Sequence, residues 1–533
     1  MYSDSTMHYR RVLSSVLAAT LLVIAAGCDS FLSPDPKSFS TTANFYQSQS
    51  DFEQGINGVY VEMRGLIGGD AYRNATDRRG PTLTKHFDVN LPNTVGGDPQ
   101  TDEFTMVASN GNSVGLWADT YDLIKEANVI LTRIGEVEFE DSGVKARIEG
   151  EARVMRAFAY WFAVQTWGGV PLMVEDPRTP DDAFPDAGRA SVDAVYQQII
   201  SDLQAAMEGL PITYDGGEAG RITRGAAKML LGRTYLLTGD YQSALSEFED
   251  LDSAEYPYQL LGDFRSIFDP NNKNNAESIW EIQYNPSLAG QGELPVFEIF
   301  LPINAAEDLY PASRPIDVPD GDVFPTPDVI EKFEGTDVRF TEGLAWYVNP
   351  NNSSFPEIAW PPRSASAGTA PGDSIAYLNK FYFPNTVTST GEALNNWVLF
   401  RFADALLGAA EANWRMGNQG EAMNYLNRVR SRAGLGAVDL ADYSGDWTGS
   451  ALGDAILWER FKELLGEGHA WFDLKRMAGA QRTVARMRDH GERFRDRDPK
   501  MSTRHYDVQE YMLLYPIPPG DIDLAGLSQN PGW

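Results

Sequence analysis

The chain contains a single cysteine among its 533 residues, which excludes disulfide bonds within the chain and cysteine-based zinc or iron–sulfur sites. Basic residues are also few, because 44 Lys and Arg stand against 75 Asp and Glu, for a formal net charge of −31. Such an acidic chain repels polyanions, so we expect no nucleic-acid partner. Hydrophobic residues make up 43% of the sequence and charged residues 22%, which is typical of a folded globular protein.

Motifs of the common catalytic and metal sites are absent as well. The five histidines include no pair four residues apart, so a histidine zinc site is not predicted. The sequence has no Walker phosphate loop. Carboxylate pairs arise by chance among 75 acidic residues and are no positive sign of a glycosidase. We therefore expect that the protein has no enzymatic activity and binds neither a metal ion nor a cofactor.

An Asp- and Asn-rich segment at 269–277 has oxygen-bearing residues at alternating positions, as a calcium-binding loop does. Lys273, however, takes a central ligand position, and the glycine and distant glutamate of such a loop are missing. The segment is therefore interpreted as a polar turn before a strand.

The single cysteine lies at the end of an N-terminal export signal. Arg10 and Arg11 precede an uncharged, mainly apolar stretch at 12–26, and Cys28 follows it closely. The stretch is shorter than the about 20 residues of a membrane-spanning helix. This order predicts a bacterial lipoprotein signal peptide over 1–27, with Cys28 as the lipidated first residue of the mature chain. An ordinary secretory signal with a nearby free cysteine is the alternative.

Helical periodicity marks two parts of the chain, 41–254 and 397–533. A tether at 28–40, rich in Ser, Pro and Asp, leads into a first helix predicted around 41–63. Further helical segments are predicted at 114–131, 144–166, 192–208, 222–238 and 451–487.

Two predicted turns share one spacing. An alanine follows Gly239 by five residues, and another follows Gly417 by the same distance. Gly232 lies seven residues before the first turn and Ala410 seven before the second, so each preceding helix carries a small residue at the same place. This spacing is typical of tetratricopeptide helix pairs, in which small residues let two helices approach. The sequence therefore predicts a mainly α fold, a superhelix of tetratricopeptide-like helical pairs.

Two segments break this pattern. Residues 64–113 are rich in Gly, Pro, Asn and Asp and are interpreted as a long loop within the N-terminal helical part. Residues 255–396 contain no long periodic helix and many Pro, Asn, Gly and aromatic residues, which predicts an irregular, loop-rich lobe inserted between helical pairs. Long irregular segments in compact proteins are usually functional.

Ten short motifs in one order resemble those of the SusD/RagB family of nutrient-binding outer-membrane lipoproteins, and the resemblance covers nearly the whole chain. They lie at 28–32, 153–160, 167–172, 221–227, 277–282, 401–404, 410–413, 459–476, 516–518 and 530–533. The resemblance implies a SusD-like fold, a location at the cell surface, and a lipid anchor in the outer membrane. It also implies a SusC-like TonB-dependent transporter as partner, docked on the helical half.

Charged residues of these motifs form three pairs with members three residues apart. They are interpreted as ion pairs of the scaffold rather than as catalytic groups. The pairs are Arg401 with Asp404, Glu459 with Lys462, and Asp473 with Arg476.

A sugar ring stacks its apolar face on an aromatic plane while its hydroxyl groups need polar partners. Tyr72 and His86 in the first long loop, and Trp346, Tyr347 and Trp360 in the lobe, lie in polar surroundings where such contacts fit. Glycan-binding members of the SusD/RagB family commonly draw their ligand contacts from these two regions. We therefore predict that the five residues form the ligand platform. Packing of each ring within its own lobe is the competing interpretation.

The leading hypothesis is therefore a cell-surface lipoprotein that captures an oligosaccharide and passes it to a transporter. A peptide-binding, RagB-like member of the family and a structural helical-repeat adaptor without a small ligand are the alternatives. The net charge of −31 favours neutral glycans over uronic-acid polymers as ligands.

Overall fold

The structure is a computed structural model that describes residues 45–85, 98–176, 188–284, 323–348, 374–381, 383, 395–497 and 506–533. Across these ranges the chain is mainly helical, which confirms the predicted fold class. The α-helices are α1 (Gln49–Gly68), α2 (Asp70–Arg73), α3 (Asp98–Asp102), α4 (Gly111–Arg133), α5 (Ser142–Trp167), α6 (Val192–Gly209), α7 (Arg224–Thr238), α8 (Tyr241–Leu251), α9 (Pro327–Ile330), α10 (Val338–Thr341), α11 (Phe402–Arg415), α12 (Gln419–Arg432), α13 (Ala451–Glu463), α14 (Ala470–Ala478), α15 (Ala480–Arg497) and α16 (Pro519–Ala525). A π-helix follows α2 at Asn74–Arg78, and short 3-10 helices lie at Ile134–Glu136, Gly216–Glu218, Arg265–Ile267, Asn379–Phe381, Leu440–Asp442 and Glu510–Leu513.

Side-chain caps determine where the long helices begin. The Ser48 hydroxyl accepts a hydrogen bond from the backbone N–H of Asp51, so α1 begins at Gln49 rather than near residue 41. Such a cap satisfies a backbone donor that the first helical turn leaves unpaired. The same arrangement begins α4, α5, α6, α7, α8 and α13, with the caps Asn110, Asp141, Ser191, Thr223, Asp240 and Ser450.

The two predicted tetratricopeptide turns are confirmed. Gly239 ends α7 with φ +80° and Gly417 follows α11 with φ +84°, a backbone conformation that favours glycine. Between the pairs, the ring of Phe248 on α8 packs against Gly232 of α7 and Gly408 of α11. A Cβ atom at either glycine would lie within 2.7 Å of that ring, so both positions need glycine for close helix packing.

The strands form small antiparallel pairs. They are β1 (Leu83–Lys85), β2 (Ser278–Ile282), β3 (Val323–Pro325), β4 (Leu344–Val348), β5 (Ser374–Leu378) and β6 (Trp397–Arg401). β1 pairs with β3, β2 pairs with β6, and β4 pairs with β5. In the β4–β5 ladder Leu344 lies opposite Leu378 and Trp346 opposite Ala376.

The two irregular segments differ from each other in the structure. The prediction of a long loop at 64–113 is wrong in part, because its described residues include the end of α1, α2, the π-helix, β1 and α3. In the described part of 255–396, no α-helix is longer than four residues, as the sequence predicts. The helical segment predicted at 451–487 divides into α13, α14 and α15, because Gly466, Gly468 and Gly479 adopt positive φ between them.

Candidate functional site

The residues predicted to bind ligand have different positions. Trp346 and Tyr347 lie next to each other on β4, opposite Ala376 and Ile375 of β5. His86 and Trp360 lie outside the described residues, as does Cys28 with the whole predicted signal and tether. His86 directly follows the last residue of β1 in the sequence.

Tyr72 is a correction to the predicted platform. Its side chain is only 1% exposed, and its ring packs 5.2 Å from the ring of Phe162 on α5. The polar composition of the surrounding segment predicts an exposed loop. In the structure this segment forms α2 and the π-helix, and its side chains are buried in the core. Tyr72 therefore stabilises the scaffold and does not offer a face to a sugar ring.

The two regions predicted to supply ligand contacts do come together. β1, from the first region, pairs with β3, so that Leu83 lies opposite Pro325 and Lys85 opposite Val323. β3 in turn lies beside β5, the partner of the strand that carries Trp346. Segments about 250 residues apart in sequence are thus gathered at one place.

One short loop of the scaffold, residues 464–470, contacts both regions. The carboxylate of Asp77 in the π-helix accepts hydrogen bonds from the backbone N–H groups of Gly468 and Ala470, at 2.7 and 3.5 Å. From the other region, Leu378 at the end of β5 lies so close to Gly466 that a Cβ there would approach it to 2.5 Å. We call residues 464–470 the scaffold loop.

Buried charges join the lobe to the helical scaffold. The guanidinium of Arg401, at the end of β6, contacts Glu277 at 2.8 Å, Glu463 at 2.5 Å and Glu467 at 2.7 Å. Arg432 on α12 contacts Glu277 at 2.9 Å and also pairs with Glu463. All of these side chains are almost fully buried, so the interactions are screened very little by solvent.

A neighbouring set of ion pairs holds the chain just before β4. Arg339 on α10 contacts Asp337 at 2.7 Å, Glu459 at 2.6 Å and Glu463 at 2.9 Å. Burial raises the pKa of Glu459, but the cations Arg339, Lys462 and Arg430 outweigh burial and lower that pKa to about 2. Glu459 is therefore an anion at neutral pH and fixes this segment to α13.

A third cluster lies inside the helical half. Arg233 and Arg460 share the carboxylates of Asp404 and Asp473, at distances of 2.6 to 3.0 Å. Burial and the nearby cation Arg233 lower the pKa of His469 to about 4, so this histidine is neutral at physiological pH. All of these residues except Arg233 belong to the sequence motifs, and their contacts with each other show them to be part of the scaffold.

The three predicted ion pairs have different outcomes. Glu459 contacts Lys462 at 3.0 Å and Asp473 contacts Arg476 at 2.8 Å, which confirms two of them. The third is wrong, since Arg401 and Asp404 each pair with other residues. Arg401 has φ −142° and ends a strand, so it does not share a helix face with Asp404.

Two perturbed pKa values resemble those of catalytic groups but have another cause. Burial raises the pKa of Asp77 to about 7, and burial lowers the pKa of Lys475 to about 7. Both side chains are hydrogen-bonded to the backbone, and Lys475 donates to the carbonyls of Gln165 and Leu513. Their contacts join chain segments, which is a scaffold role.

In the part of the chain that the structure describes, no cluster of three His, Cys, Asp or Glu residues is placed so that it could hold a metal ion. The segment at 269–277 forms the predicted polar turn before β2, in which the Asp269 carboxylate accepts from the backbone N–H of Asn271. Over the same described ranges, no helix combines the length and apolar character needed to cross a membrane.

Sequence reasoning missed Lys380, which is 2% exposed and follows β5. Its ammonium contacts Glu467 of the scaffold loop at 2.5 Å. The rings of Phe268 and Phe381 lie 4.8 and 4.9 Å from the same nitrogen. It directly precedes three aromatic residues, at 381–383, and this is the one signal that sets it apart in the sequence.

Comparison with known proteins gives the same answer as the motifs. A family model described as "SusD family" matches residues 317–533, and one described as "Starch-binding associating with outer membrane" matches residues 31–236. A SusD-like protein of Formosa agariphila is 25% identical, over 98% of this chain and 97% of its own length.

Solved structures of similar proteins extend the likeness to the fold. A structure titled "Laminarin binding SusD-like protein" is 25% identical with a TM-score of 0.71, and the match covers 92% of this chain and 100% of that one. Surface glycan-binding protein A from Bacteroides thetaiotaomicron, in complex with laminarihexaose, has 22% identity and a TM-score of 0.70, over 91% of this chain and 100% of its own. The family models, the full-length relative and these folds agree, and the chain belongs to the SusD-like family.

Proposed function

We propose that the protein binds an oligosaccharide at the surface of the outer membrane and delivers it to a TonB-dependent transporter. One observation carries the proposal, namely the likeness to a laminarin-binding SusD-like protein over the whole of that protein. The description of the N-terminal family model, starch-binding and associated with the outer membrane, supports the same ligand class and location.

Within this proposal the ligand is a neutral glucan. Its rings stack on Trp346, Tyr347 and Trp360, and His86 offers a polar partner to its hydroxyl groups. Support comes from the pairing of β1 with β3 beside β5, which brings parts of the two irregular segments, 64–113 and 255–396, next to β4. The net charge of −31 opposes the approach of polyanionic glycans.

The proposed attachment to the membrane is a lipid on Cys28, and the proposed partner is a SusC-like transporter that docks on the helical half. Paired helices build extended surfaces that suit protein docking. The lobe that carries Trp346 is then left for the ligand. We propose no catalytic step, because the buried charged residues described above contact each other and the backbone.

Calorimetric titration of the mature protein with four probes tests this function. The probes are laminarin oligosaccharides, maltooligosaccharides, a polyuronate and a mixture of peptides. We expect heat of binding with one of the two neutral glucans and none with the polyuronate. Binding of peptides alone would replace this function with the peptide-binding alternative, and no binding at all would favour the structural adaptor.

A further inference from the structure

The β4–β5 hairpin is fixed to the helical scaffold at the end where its two strands meet the rest of the protein. Lys380 follows β5, and its backbone N–H donates to the carbonyl of Gly343 just before β4, at 3.0 Å. The side chain of Asn379 donates to the carbonyl of Glu342 at 2.9 Å. These two bonds close the hairpin base, so any group that holds Lys380 also holds both strands.

The side chain of Lys380 crosses from this base to the scaffold loop. Its ammonium pairs with Glu467 among the rings of Phe264, Phe268 and Phe381. Burial lowers the pKa of Lys380 to about 8 even though Glu467 acts in the opposite direction. A buried ammonium is costly to desolvate, and an apolar side chain of similar size is often equally stable or more so. Stability alone therefore does not explain a lysine at this position.

We propose that Lys380 and Glu467 position the β4–β5 hairpin, and with it Trp346 and Tyr347, for glycan binding. The proposal rests on the proposed function and names the residues that hold its site in place. A ligand platform that is already ordered loses less conformational entropy when the ligand binds. Loss of the pair leaves the hairpin base joined by the hydrogen bonds from the Lys380 backbone N–H and the Asn379 side chain, but no longer fixed to the scaffold by this charge pair.

Lys380→Met is the cleaner test of the pair. Arg401 remains bound to both carboxylate oxygens of Glu467, at 2.7 and 3.0 Å, so the substitution leaves no carboxylate unpaired. Lys475→Met is the matched control, since Lys475 is also a buried lysine near aromatic rings. It donates to Gln165 and Leu513, and therefore holds the C-terminal segment rather than the hairpin.

Two measurements on the full mature protein are compared between these variants. Hydrogen exchange of the β4 and β5 amides reports the order of the hairpin, and calorimetry with the glucan bound by the wild type reports affinity. For Lys380→Met we expect faster exchange in β4 and β5, unchanged exchange in α5 and α6, and about tenfold weaker binding. Lys380→Arg, which keeps the cation, is expected to restore most of the affinity, and Lys475→Met to leave the affinity unchanged.

Several outcomes would overturn the proposal. Equal losses of affinity in Lys380→Met and Lys475→Met would show a general effect of destabilisation. Unchanged exchange in the hairpin of Lys380→Met would show that the pair does not position it. If Lys380→Met fails to fold, Glu467→Gln takes its place, with the same expected changes and the same contradicting results. Absence of glycan binding in the wild type would remove the proposed function itself, which distinguishes that failure from failure of this inference.

Discussion

The carboxylate of Asp77 accepts a hydrogen bond of 2.7 Å from the backbone N–H of Gly468, which joins the first irregular segment, 64–113, to the scaffold loop. The same loop meets the second region through Gly466 and Glu467, which contact Leu378 and Lys380. Both regions proposed to contact ligand are thereby joined to the same loop of the scaffold. The scaffold loop is in this sense the structural link between the motif-rich helical half and the proposed ligand site.

Asp77 is predicted to make the stability of the folded protein depend on pH. Burial raises the pKa of Asp77 from 3.8 to about 7, so the folded chain holds this proton at pH values where the unfolded chain has released it. The stabilising contribution of protonated Asp77 is complete below about pH 4 and is lost as the pH rises to about 7. Asp77→Asn does not titrate. We expect the melting temperature of the variant relative to wild type to rise from pH 4 to 7 and to level off above it. If the difference in melting temperature between Asp77→Asn and wild type does not change with pH, the raised pKa of Asp77 is contradicted.

Gly408 tests the packing between the helical pairs. A Cβ at this position would lie 2.6 Å from the ring of Phe248, so Gly408→Ala forces the two helices apart. We expect the free energy of unfolding, measured in urea, to fall by roughly 1–3 kcal/mol. Gly58→Ala on α1 is the control, because no atom lies within 4 Å of its Cβ position. There we expect a gain of about 0.5–1 kcal/mol, since alanine is favoured over glycine inside a helix. Similar effects at both positions would argue against close packing at Phe248.

Cys28 is predicted to carry the membrane anchor. Stable anchoring generally requires more than one acyl chain, and lipidation of the mature N-terminus supplies these chains. We expect wild-type protein to incorporate a labelled fatty acid and to sediment with membranes. Cys28→Ser is expected to incorporate no label and to remain unprocessed or soluble. Absence of label on the wild type would end the lipoprotein hypothesis.

Docking of the transporter is predicted to depend on the helical half. Changes in the lobe segment 341–372, such as Trp360→Ala, are therefore expected to leave co-purification of the cognate transporter intact. The measurement is affinity purification from solubilised outer membranes, with the melting temperature of each variant as the control for folding. Loss of the transporter from a folded lobe variant would assign the docking surface to the lobe instead.

Much of the helical scaffold could be predicted from the sequence because its signals are local. The turns at Gly239 and Gly417 depend on glycine conformation and spacing within about ten residues, and both are present. The type of element to which a residue at a boundary belongs was harder to predict. The sequence predicts that Arg401 lies in a helix, but it is the last residue of β6. Its side chain contacts Glu277 and Glu467, which are distant in sequence.

The site was less predictable for the same reason. Polar composition around Tyr72 favours an exposed loop, but its burial depends on packing against α5, which periodicity does not report. Lys380 shows the opposite case, because an isolated lysine in a loop-rich lobe is usually exposed. Its burial depends on a carboxylate 87 residues away. Long-range pairing of this kind leaves no periodic signal in a single sequence.

The central claim is that the lobe carrying β4 binds a neutral glucan through its aromatic rings. Calorimetric titration of Trp346→Ala and Trp360→Ala with the glucan that the wild type binds tests it most directly. Trp447→Ala is the control, since Trp447 packs against Trp458 in the C-terminal helical part. We predict that each important lobe ring contributes roughly 1–3 kcal/mol to binding, that melting temperatures fall little, and that the control binds as the wild type does. Unchanged affinity in both lobe variants, with a large loss of thermal stability, would show that these rings are core and would contradict the claim.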